Sequence, residues 1–575
     1  MNGDYYSSGG GQRSRPDFSV HPPYGTGMQP QAASFPVLEK ARKRLGFVAF
    51  IFILFYALIA GRLFDVMILN PDAGRQQAPR PPIVSARADI TDRNGELLAT
   101  SLRVASLSAD PALILDEKDT LKKLKSVFFE IDTTALSKDF HSGKRFVWVK
   151  RNLGPKQQNA VNNLGLPGLN FETEDMRVYP KGALTSHILG YNDIDHKGIA
   201  GIELKFDKRL KNPDATLALS IDVRVQAIVR EALMEAIKTF DAIGAAGIML
   251  DVRTGEVLAM VSLPDFDPAE PAKAKDEQRF NRASLGTYEM GSTFKTFAIA
   301  QALDKGLITL SDYFNCVKPI KVGRFTIRDF HPEKRWMNVP EIYLHSSNIG
   351  AVKIIEKVGT PAQQEFMKKV GLLNASPLEL PEVGRPLVPS PWREINTMTI
   401  AFGHGIAVSA MQLASATASI INGGTFVKPT LLKQETPPPL GAIVVSNRTS
   451  EKMRAIMRAV VVDGTGKTAA VPGYMVGGKT GTAEKKLGRG YNRNARLSSF
   501  IAAFPIQDPK YLIYVMIDEP KGTKETHGFA TGGWTAAPAV AKIISQSAPL
   551  LHVIPYDEND LSLQERLRLP VAIKP

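Results

Sequence analysis

From Leu45 to Leu69 the chain is apolar almost without a break, and only Arg62 and Asp65 carry charge. A bilayer core takes about 20 apolar residues, and a long arginine near one end can snorkel to the interface. The pattern therefore predicts a single-pass membrane anchor over residues 45–69. A cleaved signal peptide fits less well, because the preceding segment is too long and Ala57-Leu58-Ile59-Ala60 is not an A-x-A cleavage site. Lys40, Arg42, Lys43 and Arg44 directly precede the span. That placement predicts residues 1–44 in the cytoplasm and everything after the span outside. Residues 1–38, rich in Gly, Ser, Pro and Gln without an apolar period, read as a disordered tail.

Beyond the span, Pro71 to Pro82 reads as a linker, and Asn94-Gly95 between two apolar runs signals a hairpin. Short strand-like and helix-like pieces alternate to about residue 215. They carry no nucleophile or metal constellation, so residues 70–215 are expected to be a pedestal. From Thr216 the texture changes. Val223 to Thr239 has helical spacing, and Ala245–Leu250 and Glu256–Val261 are strands about the turn Asp251–Gly255. Further on, Phe402-Gly403-His404-Gly405-Ile406 leads into a helix near Ser409. Phe500–Phe504 and Tyr511–Ile517 are strand-length apolar runs, and Trp534–Ser545 reads as a closing helix. The expectation is an α+β domain over 216–550, with an antiparallel sheet packed between helices, and a polar tail over 551–575.

Composition narrows the chemistry. The chain has 575 residues and a 44% hydrophobic fraction, enough for two or three domains with sizeable cores. Its net charge of +14 suits an anionic surface or polymer, but no basic patch is interleaved with stacking aromatics, so nucleic acid is not expected as a partner. Cys316 is the only cysteine, which excludes an intramolecular disulfide and any cysteine metal cluster. His187, His404 and His527 are too dispersed to suggest a metal site. No metal or cofactor is expected.

Three short segments carry candidate chemistry. In Tyr288-Glu289-Met290-Gly291-Ser292-Thr293-Phe294-Lys295, Gly291 permits a sharp entry to a helix starting at Ser292, with Phe294, Phe297, Ala298 and Leu303 on its apolar side. Ser292 and Lys295 then share one face, a spacing suited to a serine nucleophile with an amine as base. In His345-Ser346-Ser347-Asn348-Ile349-Gly350, Ser346 is able to pass a proton and Asn348 to hold a substrate amide. The competing reading is an ordinary helix cap. In Gly477-Gly478-Lys479-Thr480-Gly481-Thr482, Lys479 supplies charge, the threonines hydroxyls, and Gly481 close approach, as an edge strand gripping a peptide carboxylate would need. Gly464-Thr465-Gly466-Lys467-Thr468 superficially suggests a phosphate-binding loop, but that motif needs a glycine where Val461 stands.

Serine-x-x-lysine, then serine-x-asparagine, then lysine-threonine-glycine is the signature set of penicillin-binding proteins and serine β-lactamases. The chain resembles the class B penicillin-binding proteins from the span to about residue 550. Ala88-Asp89-Ile90-Thr91-Asp92-Arg93-Asn94-Gly95, Gly198 to Glu203, Thr254 to Val261 and Gly477 to Lys485 all add to the likeness. Tyr288–Ser292 and Phe402–Ile406 are more similar to the cell-division branch than to the elongation branch. Ala88 and Met290 depart from the family's usual glycine and proline. The resemblance implies a serine β-lactamase-like domain with a five-stranded sheet between helices, acting as a peptidoglycan D,D-transpeptidase that penicillins acylate. It assigns Ser292 as nucleophile, Lys295 as base, Ser346 and Asn348 as relay and substrate holder, and Lys479, Thr480, Gly481 and Thr482 as the substrate-binding strand. Thr482 N–H would join that of Ser292 in an oxyanion hole. It further implies stem peptides as substrate and a separate glycan polymerase and division proteins as partners. A D,D-carboxypeptidase, a β-lactamase, an elongation-type transpeptidase and a non-catalytic division scaffold are the alternatives. The anchor and pedestal argue against a β-lactamase, and the intact six-residue constellation against a scaffold.

Overall fold

The computed structural model describes residues 35–64, 87–323, 325–439, 441–487 and 490–574. The predicted tail up to residue 34, residues 65–69 of the predicted span and the Pro71–Pro82 linker lie outside them. Helix α1 (Phe35–Phe64) starts ten residues before the predicted anchor, because the basic residues ahead of the span continue the helix. Its stretch Arg42–Phe64 is long and apolar enough to cross a membrane. Residues 84–575 form a separate unit.

That unit begins with β1 (Ile90–Thr91), β2 (Leu97–Ala109), β3 (Val147–Leu153), β4 (Leu169–Val178) and β5 (Leu217–Ala218). The β1–β2 hairpin turns at Gly95, whose φ of +87° is the left-handed conformation that glycine adopts freely. The long β2 pairs with β1 through its start and with β3 and β4 on its two edges further along. Helices Glu117–Val127 and Thr133–Phe140 cover this end and bury Leu124, Phe128, Leu136 and Phe140 against Leu107 and Val147. At the other end the pedestal shares a core with the later part of the chain, since Ile90, Leu98, Ile188 and Leu217 pack into the same cluster as Ile248 and Phe297.

Helix α2 (Val223–Phe240) leads into β6 (Gly244–Asp251) and β7 (Val257–Leu263). A largely helical stretch comes next, with α3 (Lys295–Asp304), α4 (Val339–Leu344), α5 (Asn348–Val358), α6 (Ala410–Ile421) and α7 (Asn447–Val462). The chain returns to the sheet as β8 (Gly477–Leu487), β9 (Gly490–Phe504) and β10 (Tyr511–Asp518), then closes with α8 (Ala536–Leu550) and α9 (Leu561–Arg566). The strand order is β8-β9-β10-β6-β7, antiparallel throughout.

Both faces of this sheet are covered, which is why its strands read as unbroken apolar runs. Ile513, Val515 and Ile517 face α2 and α8, while Leu512, Tyr514 and Met516 face the cluster that holds α3, α6 and α7. Residues 551–574 differ from the predicted polar tail. Val553 is buried, and Tyr556, Leu563, Leu567 and Leu569 pack onto the main core.

Candidate active site

The turn before Ser292 is dictated by its neighbours. Gly291 has φ +56°, and a Cβ there would lie 2.4 Å from Thr482 O, so the lysine-threonine-glycine strand excludes any side chain. Gly403 fits as tightly from the other side, 2.1 Å from Gly291 O by the same construction. Gly291–Phe294 forms one 3₁₀ turn, and the α-helix begins only at Lys295, a turn later than the spacing predicted. Thr293 Oγ1 donates to Met290 O at 2.9 Å, a local side-chain bond that closes this tight turn. The expected one-sided helix is also corrected: every residue from Lys295 to Leu303 is buried, because other helices and the sheet enclose α3.

Ser346 sits between α4 and α5 with φ +58°, a conformation that costs a non-glycine residue roughly 1–2 kcal/mol. The helix-cap reading holds for its neighbour: Ser347 Oγ accepts from Gly350 N at 3.0 Å and caps α5. Two groups not foreseen from sequence fix this loop. Asp329 accepts from Ser347 Oγ at 2.8 Å and from Ile349 N at 3.0 Å. Arg328 O accepts from Asn348 Nδ2 at 2.9 Å, which turns Asn348 Oδ1 toward Lys295.

Strand β8 is an edge of the sheet, as predicted. A Cβ on Gly481 would lie 2.4 Å from Ser499 Oγ, 2.9 Å from Thr293 Cγ2 and 3.0 Å from Met290 O. The glycine thus makes room for the serine turn. Thr480 Oγ1 lies 3.0 Å from Thr465 Oγ1, so the loop that superficially suggested a phosphate-binding motif instead supports the lysine-threonine-glycine strand.

These segments converge. Lys295 Nζ lies 2.7 Å from Ser292 Oγ, 3.1 Å from Ser346 Oγ and 2.8 Å from Asn348 Oδ1. Lys479 Nζ lies 3.1 Å from the same Ser346 Oγ, which therefore bridges the two amines. Both lysines are fully buried. Burial, and then the charge of Lys479, hold the Lys295 amine well below its ordinary range, with Asp329 opposing in part. Burial lowers Lys479 to about 7. A neutral Lys295 also satisfies the geometry: its two hydrogens suit Ser346 Oγ and Asn348 Oδ1, and its lone pair suits the Ser292 hydroxyl. Chemically the arrangement amounts to a hydroxyl with a base in contact and a proton route onward to a second amine.

A family profile described as the penicillin-binding protein transpeptidase domain matches residues 245–545, and one described as the penicillin-binding protein dimerisation domain matches residues 82–228. A protein of Caulobacter vibrioides named probable peptidoglycan D,D-transpeptidase FtsI is 40% identical over 82% of each chain. The chain belongs to the class B penicillin-binding proteins. Another relative, the probable peptidoglycan D,D-transpeptidase PenA of Neisseria meningitidis, is 32% identical over 89% of this chain and 93% of its own. Among solved structures, penicillin binding protein 3 of Mycobacterium tuberculosis in complex with ampicillin has the same fold. Its TM-score is 0.66 at 24% identity, over 83% of this chain and 98% of that one.

This class B penicillin-binding protein absorbs both of its departures from the family pattern. Ala88 is buried at a position without left-handed backbone, and its N–H donates to Leu210 O at 2.7 Å. Met290 has φ −93°, within reach of an ordinary residue, and its Sδ accepts from Tyr514 OH at 3.2 Å.

Proposed function

We propose that the protein is a membrane-anchored peptidoglycan D,D-transpeptidase of the cell-division type, acting through an acyl-enzyme on Ser292. The observation that carries this reading is Ser292 Oγ at 2.7 Å from a fully buried lysine amine, whose pKa burial holds well below its ordinary range. Ser292 Oγ attacks the carbonyl of the penultimate D-alanine, and its proton passes to Lys295 Nζ. Backbone N–H groups of Ser292 and Thr482 stabilise the oxyanion, each worth about 3 kcal/mol. The close packing of Gly291 against Thr482 supports that pairing. As the amide C–N bond breaks, the proton moves through Ser346 to the leaving amine of the terminal D-alanine. Asn348 holds the donor's amide, while charged Lys479, Thr480 and Thr482 bind its carboxylate. A cavity of about 330 Å³ beside Tyr288, Glu289, Ala483 and Glu484 prolongs the open edge of β8 and suits the upstream residues of the donor peptide. An acceptor amine from a second stem peptide then attacks the ester, forms the crosslink amide and returns Ser292 to its hydroxyl. Penicillins acylate the same oxygen.

The basic residues ahead of the apolar stretch of α1 support an N-terminal end in the cytoplasm and residues after 69 outside it, at the inner membrane. By analogy with its family, a separate glycan polymerase and other division proteins would be its partners. The test is labelling of membranes by a fluorescent penicillin. Label on the wild-type chain and none on Ser292→Ala is the expected result, and label surviving the substitution overturns the reading. Product analysis with and without an acceptor amine then separates a transpeptidase from a carboxypeptidase.

A further inference from the structure

The segment after α8 touches the roots of two of the three catalytic motifs. At its start, Tyr556 N donates to Gly473 O at 2.7 Å, and Glu558 Oε1 accepts from Gly473 N at 2.8 Å. Glu558 Oε2 accepts from Arg458 Nη2 at 2.6 Å, and Arg458 Nη1 donates to Val476 O at 2.9 Å, one residue before β8 begins. Leu563, Leu567 and Leu569 then carry the chain across the main core.

At its far end the segment grips α4. Glu341, buried in the first turn of that helix, accepts from Lys574 N at 2.9 Å, from Arg335 Nη1 at 2.9 Å and from Asn338 N at 2.9 Å. Asn338 Nδ2 donates to Ala572 O at 3.1 Å. Lys574 O lies 3.3 Å from Arg335 Nη2 and 3.2 Å from His345 Nε2. The next residue is Ser346, the bridge between the two lysines, held in a left-handed backbone conformation.

We infer that residues 556–574 are a positioning strap for acyl transfer, tying the entry of β8 to the helix that presents Ser346. A buried carboxylate that loses one of its donors rearranges or draws in water, and both outcomes loosen the last turn of α4. Ser346 is the residue with least tolerance for that, since its strained backbone persists only while its surroundings over-determine it. The strap acts through Ser346 and touches neither substrate nor reacting atom. Its contacts to Glu341 and His345 use the main chain of Lys574, so the side chain at 574 is dispensable and the N–H is not.

The inference rests on the acyl-transfer reading, and one experiment keeps the two apart. The full chain in membranes, a form ending at Pro570, Lys574→Pro and Lys574→Ala are each labelled with a fluorescent penicillin over time. Both the rate and the final amount of label are read. The expected result is acylation slowed about tenfold in the shortened form and in Lys574→Pro, with an unchanged final amount, and a rate within twofold of wild type in Lys574→Ala. Equal rates in all four forms overturn the strap. So does a lower final amount with an unchanged rate, because that is the mark of misfolding alone. Absence of label in the wild type overturns the acyl-transfer reading instead.

Discussion

Two of the places where the molecule buries basic side chains treat them in opposite ways. Among residues 87–207, Arg87 and Arg177 are enclosed with Glu203 between them. Arg87 Nη2 lies 2.8 Å and Arg177 Nε 2.7 Å from its two oxygens, and Arg87 Nη1 is 2.7 Å from Asp207. Burial pushes the Asp207 carboxyl up, but the Gly198 amide and the Arg87 and Lys211 side chains outweigh it and hold it below the usual range. In the active site, Lys295 and Lys479 are buried as deeply, yet they bond to hydroxyls, an amide oxygen and a backbone carbonyl. A buried cation beside carboxylates stays charged and fixes structure. One beside neutral oxygens is pushed toward losing its proton, which is what the proposed base at Lys295 needs.

The sharpest break in this contrast comes from replacing Lys295 with methionine. The substitution removes the base while removing a desolvated amine, so penicillin acylation should fall by at least about a thousandfold. Thermal unfolding should occur at the same temperature or higher, because a desolvated amine gives way to an apolar side chain of similar length. Glu203→Ala should do the reverse. It strands two buried guanidinium groups, costing about 3–5 kcal/mol. The amount of folded, labelled protein should drop in a melting or labelling assay, while the folded fraction acylates at the wild-type rate. A slow but stable Glu203→Ala protein would erase the distinction between the two sites.

The two kinds of site were not equally legible in the sequence. The catalytic trio shows itself because each motif is local: Ser292 and Lys295, Ser346 and Asn348, Lys479 and Gly481 lie within three positions of one another. The hairpin at Asn94-Gly95 and the strand pair about Gly255 are legible for the same reason. Asp329 is not, since it stands in an exposed-looking polar run, Arg328 to Arg335, and acts on residues 18 and 20 positions away. Nor is the Thr465–Thr480 contact, which needs the loop after α7 to fold against β8. The burial of α3 from Lys295 to Leu303 escapes periodicity because that signal assumes a solvent face, and this stretch has none. In the segment after α8, leucines 561, 563, 567 and 569 were present as a signal, but intervening charges mask it.

A finer test of the contrast is pH. In the proposed mechanism acylation requires Lys295 neutral and, for a carboxylate ligand, Lys479 charged. The second-order rate should therefore rise with pH through the lowered Lys295 value and fall again as Lys479 loses its proton near pH 7. Stability follows the opposite logic on the alkaline side. The folded-state values of both lysines lie below their unfolded ones, so the unfolded chain binds more protons and the penalty for burial shrinks as pH rises toward about 10. A melting temperature that climbs between pH 7 and 9 while the rate falls is the expected pairing, measured by penicillin labelling and thermal unfolding in one buffer series.

The smallest expected effect comes from Asp329, a carboxylate whose charge acts on Lys295, and it tests where the boundary between the two kinds of site lies. It spends both oxygens on Ser347 Oγ and Ile349 N, so it orients the loop without neutralising Lys295, and its charge only partly opposes the lowering there. Asp329→Asn keeps the size and offers one acceptor where there were two. Loop order should loosen, and the rate at neutral pH should fall about three- to tenfold. With the negative charge gone, the Lys295 value should drop further and the acidic limb of the rate profile should move to lower pH. The direction of that move is decisive. A shift to higher pH would mean that Lys295 had drawn closer to a compensating charge, and the distance the fold keeps between this carboxylate and the amine would no longer explain why one buried cation is a base and the other a brace.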